Sequence, residues 1–570
     1  MTPETEQQYK NQIAALQAEI EKLKNQQTKA IQREKYGLNW IDVPEDFDEK
    51  SKNSIPVLIE DKNKAIKNED GKPTHILIEG DNYHALTCLN YTHAGKIDVI
   101  YIDPPYNTGS DGFTYKDARF MTEFPNGKPV PKDDPLRHST WLSFMEKRLR
   151  LAKNLLSDKG VIFISIDDNE QANLKLLCDR IFGEKNFQDN IIWKRKRGKD
   201  NSTTGLSRLH EYLVIYSKIG SFTPNRLNMG EKRKSAYTNP DNDPKGSYVL
   251  QPCWASGMKK GPVYDLSMGN YTFTKRMWLY SKETIEKAFF ENRISIKGLH
   301  KDGKPNVYLK VYLSENKGII PDTIWNETGN TGDAVGEIKE LFTNEIPFAT
   351  PKPLKYIKQI IHIASPPNST ILDFFAGSGT TLHATMKLNA EDGGNRQCIL
   401  VQQQENDANI CETITYERNR RVMQGYTNAK GEEISGLGNS LKYYKTDFIG
   451  KNKPEKATDE DRISLAQKAG YLISLVENTL EEIKTNDFYQ IFSNAEENKF
   501  TAIYFNGDTE KFPDFVQSIQ EKTKKTIVYI FTWGSPDIFE NEFDDLSNIT
   551  IKSIPQPILE IYKSLMKNEE

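Results

Sequence analysis

Short apolar runs rich in branched residues recur at Ile76 to Glu79, Asp98 to Ile102 and Val161 to Ile166, each bounded by Gly, Asp or Pro. Buried strands of a parallel sheet read this way. Between the second and third, Trp141, Phe144, Met145, Leu149, Ala152 and Leu156 fall at helical spacing, and the pattern stops near a turn expected at Asp158 to Gly160. After Tyr212 to Tyr216 the pattern becomes irregular, until Thr370 to Phe374 and Ile399 to Val401 supply two further strand candidates with a Gly-rich turn and a helix between them. The sheet is therefore written in two pieces around an insert. A doubly wound, Rossmann-like α/β core is expected over 37–219 and 341–450, with the insert at 220–340. From 451 onward a polar helical stretch precedes Thr501 to Phe505, Thr526 to Phe531 and Ile549 to Ile551, which predicts a small α/β domain over 451–570. At the other end, Tyr9, Ile13, Leu16, Ile20 and Leu23 trace a narrow apolar seam of about three heptads within 1–36. That seam suits either pairing with a second helix or docking on the protein's own body.

Composition changes this picture little. With 570 residues, 37% of them hydrophobic and 27% charged, the chain has material for three or four domain-sized units and reads as globular. No apolar run approaches the length of a membrane span, and the N-terminus lacks the apolar core of a secretion signal, so a cytoplasmic protein is expected. The five cysteines, Cys88, Cys178, Cys253, Cys398 and Cys411, are scattered without a C-x-x-C pair. That spacing argues against a disulfide framework and against a metal site, and predicts buried thiols. A formal charge of −4 leaves nucleic-acid contact to local basic patches.

Chemistry enters at Asp103-Pro104-Pro105-Tyr106, directly after a predicted strand. The amino nitrogen of adenine or cytosine is a poor nucleophile because its lone pair is delocalised into the ring. Two rigid acceptors, the Asp103 carboxylate and the Pro104 carbonyl, would draw its hydrogens out of plane and free that pair. Consecutive prolines fix φ and present no competing N–H. Tyr106 would stack on a base rotated out of its helix. The bland alternative is a Pro-Pro turn closing a strand.

A second motif, Leu372 to Thr381, carries Asp373, Phe374, Gly377 and Gly379 between a strand and a helix. Its glycines permit a tight turn and close approach to a ligand. It is neither the dinucleotide fingerprint nor a P-loop, which suits a cofactor without phosphate, S-adenosylmethionine. Gly80-Asp81-Asn82 after the first strand would bring a carboxylate to the same sheet edge, or is simply an Asx turn. Lys194, Arg195, Lys196, Arg197 and Lys199, following Trp193, form a phosphate-contacting loop or a solvated basic face. Lys259, Lys260, Lys275 and Arg276 lie among Trp254, Tyr264, Tyr271, Phe273, Trp278 and Tyr280, a mixture suited to reading DNA, or core aromatics with charges between them.

Over roughly 37–450 these motifs resemble the β-class of amino-methyltransferases, in which the catalytic motif precedes the cofactor motif and target recognition lies between. More closely, Ile78 to Asn82, Tyr101 to Gly109, Trp141 to Glu170 and His210 to Lys218 resemble the Mod (modification) subunits of Type III restriction-modification systems. The resemblance implies N6 methylation of adenine in double-stranded DNA, a homodimer, and a separate helicase-nuclease partner. Aspartate at position 103 resembles the adenine type more than the Ser-Pro-Pro-Tyr of cytosine-N4 enzymes. The resemblance also implies catalytic roles for Asp103, Pro104, Pro105 and Tyr106, and cofactor roles for Asp81, Asp373, Phe374, Gly377, Gly379 and Lys352. After Ile399-Leu400-Val401, where relatives place an acid for the ribose, this chain has Gln402-Gln403-Gln404-Glu405, leaving Gln402 or Glu405 for that task. Rival readings are a cytosine-N4 enzyme of the same class and a non-catalytic DNA-specificity subunit.

Overall fold

In the computed structural model, the described residues are 38–45, 53–109, 118–198, 205–254, 260–299, 303, 305–404, 409–520, 522, 524–543 and 548–567. The N-terminal seam, Lys199, Lys259 and Glu405 lie outside them.

Ten strands build the central sheet: β1 (Ile55–Glu60), β2 (Thr74–Glu79), β3 (Ile97–Ile102), β4 (Leu156–Ile166), β5 (Phe187–Lys194), β6 (His210–Ser217), β7 (Ile324–Trp325), β8 (Thr370–Asp373), β9 (Gln397–Gln402) and β10 (Ser440–Ile449). Their spatial order is β1-β10-β2-β9-β8-β3-β4-β6-β5-β7. From β10 to β4 every neighbouring pair is parallel, while β1, β6 and β5 join antiparallel and β7 pairs parallel with β5. The parallel centre explains the unbroken apolar runs: Ile76, Leu77, Val99, Ile100, Ile162, Phe163, Leu372 and Ile399 are all buried. Around it lie α1 (Asn82–His93), α2 (Ser139–Leu155), α3 (Gln171–Phe182), α4 (Leu354–Ala364) and α5 (Thr380–Asp392), with α1 packed on α2 and α4 on α5. The fold is an α/β core of the doubly wound kind.

Local departures from the sequence pattern have simple causes. The turn expected at Asp158 to Gly160 lies inside β4, because Leu156 is buried and pairs with Ile97, and a register shift absorbs the polar residues that follow. Asp322 onward belongs to the core unit: Ile324 and Trp325 pair with Ile192 and Trp193, and the Trp325 ring meets Tyr356 edge-on at 5.8 Å. A strand of two residues is too short to show any periodicity.

Residues 224–321 form a compact unit of their own. It holds a three-stranded sheet and a hairpin, Val263–Met268 with Tyr271–Met277, around Cys253, Leu266, Phe273, Trp278 and Val307. Phe273 and Trp278 are thus core residues, while Tyr271 is exposed. The C-terminal segment carries a five-stranded sheet, two strands more than expected. The pair missed, Glu481–Thr485 and Tyr489–Ser493, opens with a polar edge strand that has no apolar face to read. Helix Gln556–Lys567 returns to the core, where the Tyr562 hydroxyl donates to the Pro56 carbonyl at 3.2 Å. All five cysteines are free and buried. Among the described residues no helix is long and apolar enough to cross a membrane, and no cluster of His, Cys, Asp and Glu could hold a metal ion.

Candidate active site

Strands β3 and β8 are neighbours in register, Ile371 beside Val99 and Leu372 beside Ile100. Their carboxyl ends therefore deliver Asp103 and Asp373 to one sheet edge, where open α/β sheets hold their ligands. The Trp141 indole N–H donates to the Pro105 carbonyl at 2.7 Å and pins the turn from outside. Asn107 adopts φ 57°, and its amide donates to the fully buried Glu170 at 2.6 Å, which also meets His138 Nδ1 at 2.5 Å. A left-handed asparagine so held reverses the chain just after Tyr106.

Asp103 does not stand alone. Lys352 Nζ donates to both of its oxygens, at 2.7 and 2.8 Å, and the Tyr106 hydroxyl donates to Oδ1 at 2.7 Å. A second carboxylate, Glu211 at the start of β6, lies 3.2 Å from the Tyr106 hydroxyl and 3.5 Å from Lys352 Nζ. Arg195 Nη1 holds the other oxygen of Glu211 at 2.9 Å. Burial would lower the Lys352 pKa, yet the carboxylates of Asp103 and Glu211 outweigh it and hold the amine above its usual range.

The second motif makes one wall of a half-open cleft whose other wall carries Asp103, Pro105 and Lys352. Gly377 (φ 51°) and Gly379 (φ 74°) turn the chain into α5, and the Gly377 amide donates to Gln402 Oε1 at 2.7 Å. A Cβ on Gly379 would meet the Asn419 side chain, so this position has no room for another residue. Asp373 is 2% exposed, with Thr381 Oγ1 donating to one oxygen at 2.5 Å and the Phe375 amide to the other at 3.0 Å. Burial is the main cause that raises its pKa to about 7, ahead of these two hydrogen bonds, which lower it, and of the Asp103 charge. Both partners are neutral, so the ionised form of this carboxyl in the cleft wall suits a cationic ligand. S-adenosylmethionine, with its sulfonium and ammonium groups and no phosphate, fits that demand.

Asp103, Pro105, Lys352, Asp373, Gly377 and Gln402 all line this cleft. Other expected site residues sit elsewhere. Phe374 is 1% exposed and packs in the main core, whereas its neighbour Phe375 faces the cleft. Asp81 caps α1, accepting from the Tyr83 amide at 2.8 Å, and its other oxygen meets Arg148 at 3.4 Å; it does not line the cleft. Its effect on the cofactor loop is indirect, because Arg148 also holds Asn82, whose amide donates to the Phe374 carbonyl at 3.0 Å. Lys352, by contrast, both lines the cleft and reaches Asp103.

The basic run divides. Trp193 and Lys194 end β5, with Trp193 2% exposed and its indole donating to the Gly329 carbonyl at 3.0 Å. Arg195 turns inward to Glu211, Arg197 pairs with Asp333, and Lys194, Lys196 and Arg197 border a small surface pocket with Glu327 and Asp333. Arg195 and Arg197 are thus engaged with acids of the protein itself, while Lys194 and Lys196 border the surface pocket. Glu211, Trp141, Asn107 and Arg148 were missed as functional residues. Glu211 opens an apolar run and reads as a strand end; only its three-dimensional partners reveal it.

A family of DNA methylases matches residues 97–428. The Mod subunit of the Type III restriction-modification enzyme StyLTI from Salmonella typhimurium LT2 is 38% identical over 365 residues, 61% of this chain and 55% of that protein. The Type II methyltransferase M.KpnI of Klebsiella pneumoniae is 35% identical over 401 residues, 65% of this chain and 90% of its own length. The EcoPI Mod subunit of Escherichia phage P1 is 34% identical over 428 residues, 66% of this chain and 64% of that protein. The chain thus spans just over half of the Salmonella Mod subunit. Asp103, Lys352, Asp373 and the glycine turn all fall within the matched span, and the chain belongs to the S-adenosylmethionine-dependent DNA methylase family.

Proposed function

We propose that the chain methylates adenine N6 in double-stranded DNA and is the modification and recognition subunit of a Type III-like restriction-modification system, working as a homodimer beside a separate helicase-nuclease subunit. The observation that carries the reading is an aspartate, rather than a serine, at the head of the Pro-Pro-Tyr turn, at the mouth of a cleft suited to a cationic cofactor. When bound, S-adenosylmethionine supplies an electrophilic methyl group on a sulfonium centre. Asp373, Gly377 and Gln402 are the residues that would hold it. Asp103 accepts one hydrogen of the flipped base's amine and the Pro104 carbonyl the other, so the nitrogen turns toward tetrahedral geometry and frees its lone pair. Asp103 is also the nearest acceptor for the proton that must leave. Tyr106 stacks on the base face, and the compact unit of 224–321 reads the sequence.

The test is single-molecule sequencing of DNA from a methylation-free host expressing the chain, beside Asp103→Ala. N6-methyladenine in one short sequence context, absent with Asp103→Ala, is the expected result. N4-methylcytosine would overturn the adenine reading, and an unmarked genome would favour a non-catalytic specificity subunit.

Cofactor binding should also depend on pH through Asp373. Its pKa of about 7, against an ordinary 3.8, means that the carboxyl gains its proton as pH falls through neutrality. The neutral acid no longer attracts a cation, so cofactor affinity is expected to fall between pH 8 and pH 6, by up to about tenfold over that range. The stability of the ligand-free fold runs the other way. A raised carboxyl pKa favours the fold below about pH 4, and that contribution is lost as pH rises through 7. Calorimetric titration checks the first statement, in which Asp373→Asn should bind weakly with little pH dependence, and urea unfolding of the ligand-free protein across about pH 4 to 8 checks the second.

A further inference from the structure

We infer that Glu211 is a positioning residue that draws Lys352 and the Tyr106 hydroxyl off Asp103 when the acceptor amine arrives; the inference rests on reading Asp103 as the amine's acceptor. A carboxylate has about four lone-pair sites. Here three are taken by the protein itself: Lys352 spans both oxygens at 2.7 and 2.8 Å, and the Tyr106 hydroxyl sits on Oδ1 at 2.7 Å. An acceptor so engaged is poorly placed to take an amine hydrogen.

Glu211 offers both donors an alternative partner. Its Oε2 lies 3.2 Å from the Tyr106 hydroxyl and 3.5 Å from Lys352 Nζ, just beyond the shorter contacts those donors make with Asp103. The hydroxyl has a single hydrogen, so serving Glu211 releases Asp103. Lys352 is a flexible side chain, and a short swing of its terminal bonds exchanges one carboxylate for the other. Glu211 itself is held in place, with its side chain 6% exposed and Oε1 paired to Arg195. The group contains two carboxylates, Asp103 and Glu211, and two cations, Lys352 and Arg195, so the exchange leaves its total charge unchanged. Glu211 acts through Lys352 and Tyr106 and need not touch the base.

The experiment measures single-turnover transfer of tritiated methyl from S-adenosylmethionine to DNA of a methylation-free host, using the full chain. Glu211→Gln keeps the shape and an acceptor but loses the charge that attracts Lys352. Its rate is expected to fall on the order of 10–100-fold, as for a misplaced catalytic group. Cofactor and DNA dissociation constants and the melting temperature should stay close to wild type. Glu211→Asp restores the charge at a longer reach and should fall between the two, roughly 3–10-fold below wild type. A Glu211→Gln rate within threefold of wild type, affinities that fall in step with rate, or an Asp variant as slow as the Gln variant would each overturn the proposal. Should Glu211→Gln not fold, Glu211→Asp carries the test: a wild-type rate overturns the proposal, and a slower rate with intact affinities supports it. The two readings fail separately. If wild type transfers no methyl, the methyltransferase reading falls; if wild type is active, Asp103→Ala is dead and Glu211→Gln is fast, only the role of Glu211 falls.

Discussion

Asp103→Ala should lower single-turnover methyl transfer by roughly three orders of magnitude while leaving cofactor affinity within a few-fold of wild type. Removing one preorganised group at a developing charge costs on the order of 10²–10³ in rate, and Asp103 combines that role with accepting the departing proton. Cofactor affinity should survive, because the cleft wall is built by Asp373, Gly377 and Gln402 from other strands. The fold should survive too, since Lys352 keeps a carboxylate at Glu211. Asp103→Asn offers a stricter version: the side chain keeps its shape but has one carbonyl oxygen and an NH2 group that opposes the amine. A rate above one tenth of wild type in either variant would remove Asp103 from the centre of the chemistry.

The second large effect is expected away from the cleft. Arg148 is fully buried and cross-links the segment at Glu45, the start of α1 and its own helix α2. It pairs with Glu45 through two contacts at 2.7 and 2.9 Å, with Asp81 at 3.4 Å and with the Phe144 carbonyl at 3.0 Å. Its Nε donates to Asn82 Oδ1, leaving the Asn82 amide for the Phe374 carbonyl. Arg148→Met keeps most of the volume and deletes every one of these bonds. The loss should be about 3 kcal/mol, at the low end for breaking a buried ion pair because Glu45 and Asp81 retain some contact with water. Urea unfolding measures it. Cofactor affinity should fall as well, since the peptide after Asp373 loses its outer support, whereas Glu45→Gln should cost far less on both counts.

How much of this was legible in the sequence depends on where the partners of each residue lie along the chain. Asp103 was legible because its chemistry needs contiguous neighbours: Pro104, Pro105 and Tyr106 follow without a gap. The Gly377 and Gly379 turn was legible for the same reason, and the buried strands at its flanks announced themselves as apolar runs. Glu211 was not, because its partners Tyr106 and Lys352 lie 105 positions before it and well over a hundred after it. Arg195 was misjudged by its neighbours. In a run of cations it reads as solvated, but the pairing of β5 with β6 carries it to Glu211, and the Arg195 amide donates to the Leu209 carbonyl at 2.9 Å. Phe374 and Phe375 show the same limit on a smaller scale: of two adjacent aromatics in the bend after β8, one is fully buried and the other lines the cleft, and the sequence does not say which.

The adjacency of β3 and β8 has a consequence for how the protein comes into being. The Thr370 amide donates to Asp98 at 2.9 Å across a separation of 272 positions. A ribosome adding about 5–20 residues per second needs roughly 14–54 seconds to cover that distance. For that time β3, flanked on one side by β4, β6 and β5, carries Asp103 on a strand whose other edge waits for β8. The exposed ladder edge is sticky, and closing so long a loop is slow. The cofactor cleft is thus completed late, once β8 has slotted in beside β3 and β9 has brought Gln402 beside β8. A chaperone that shields this edge during translation would raise the yield of active protein without changing the finished molecule at all.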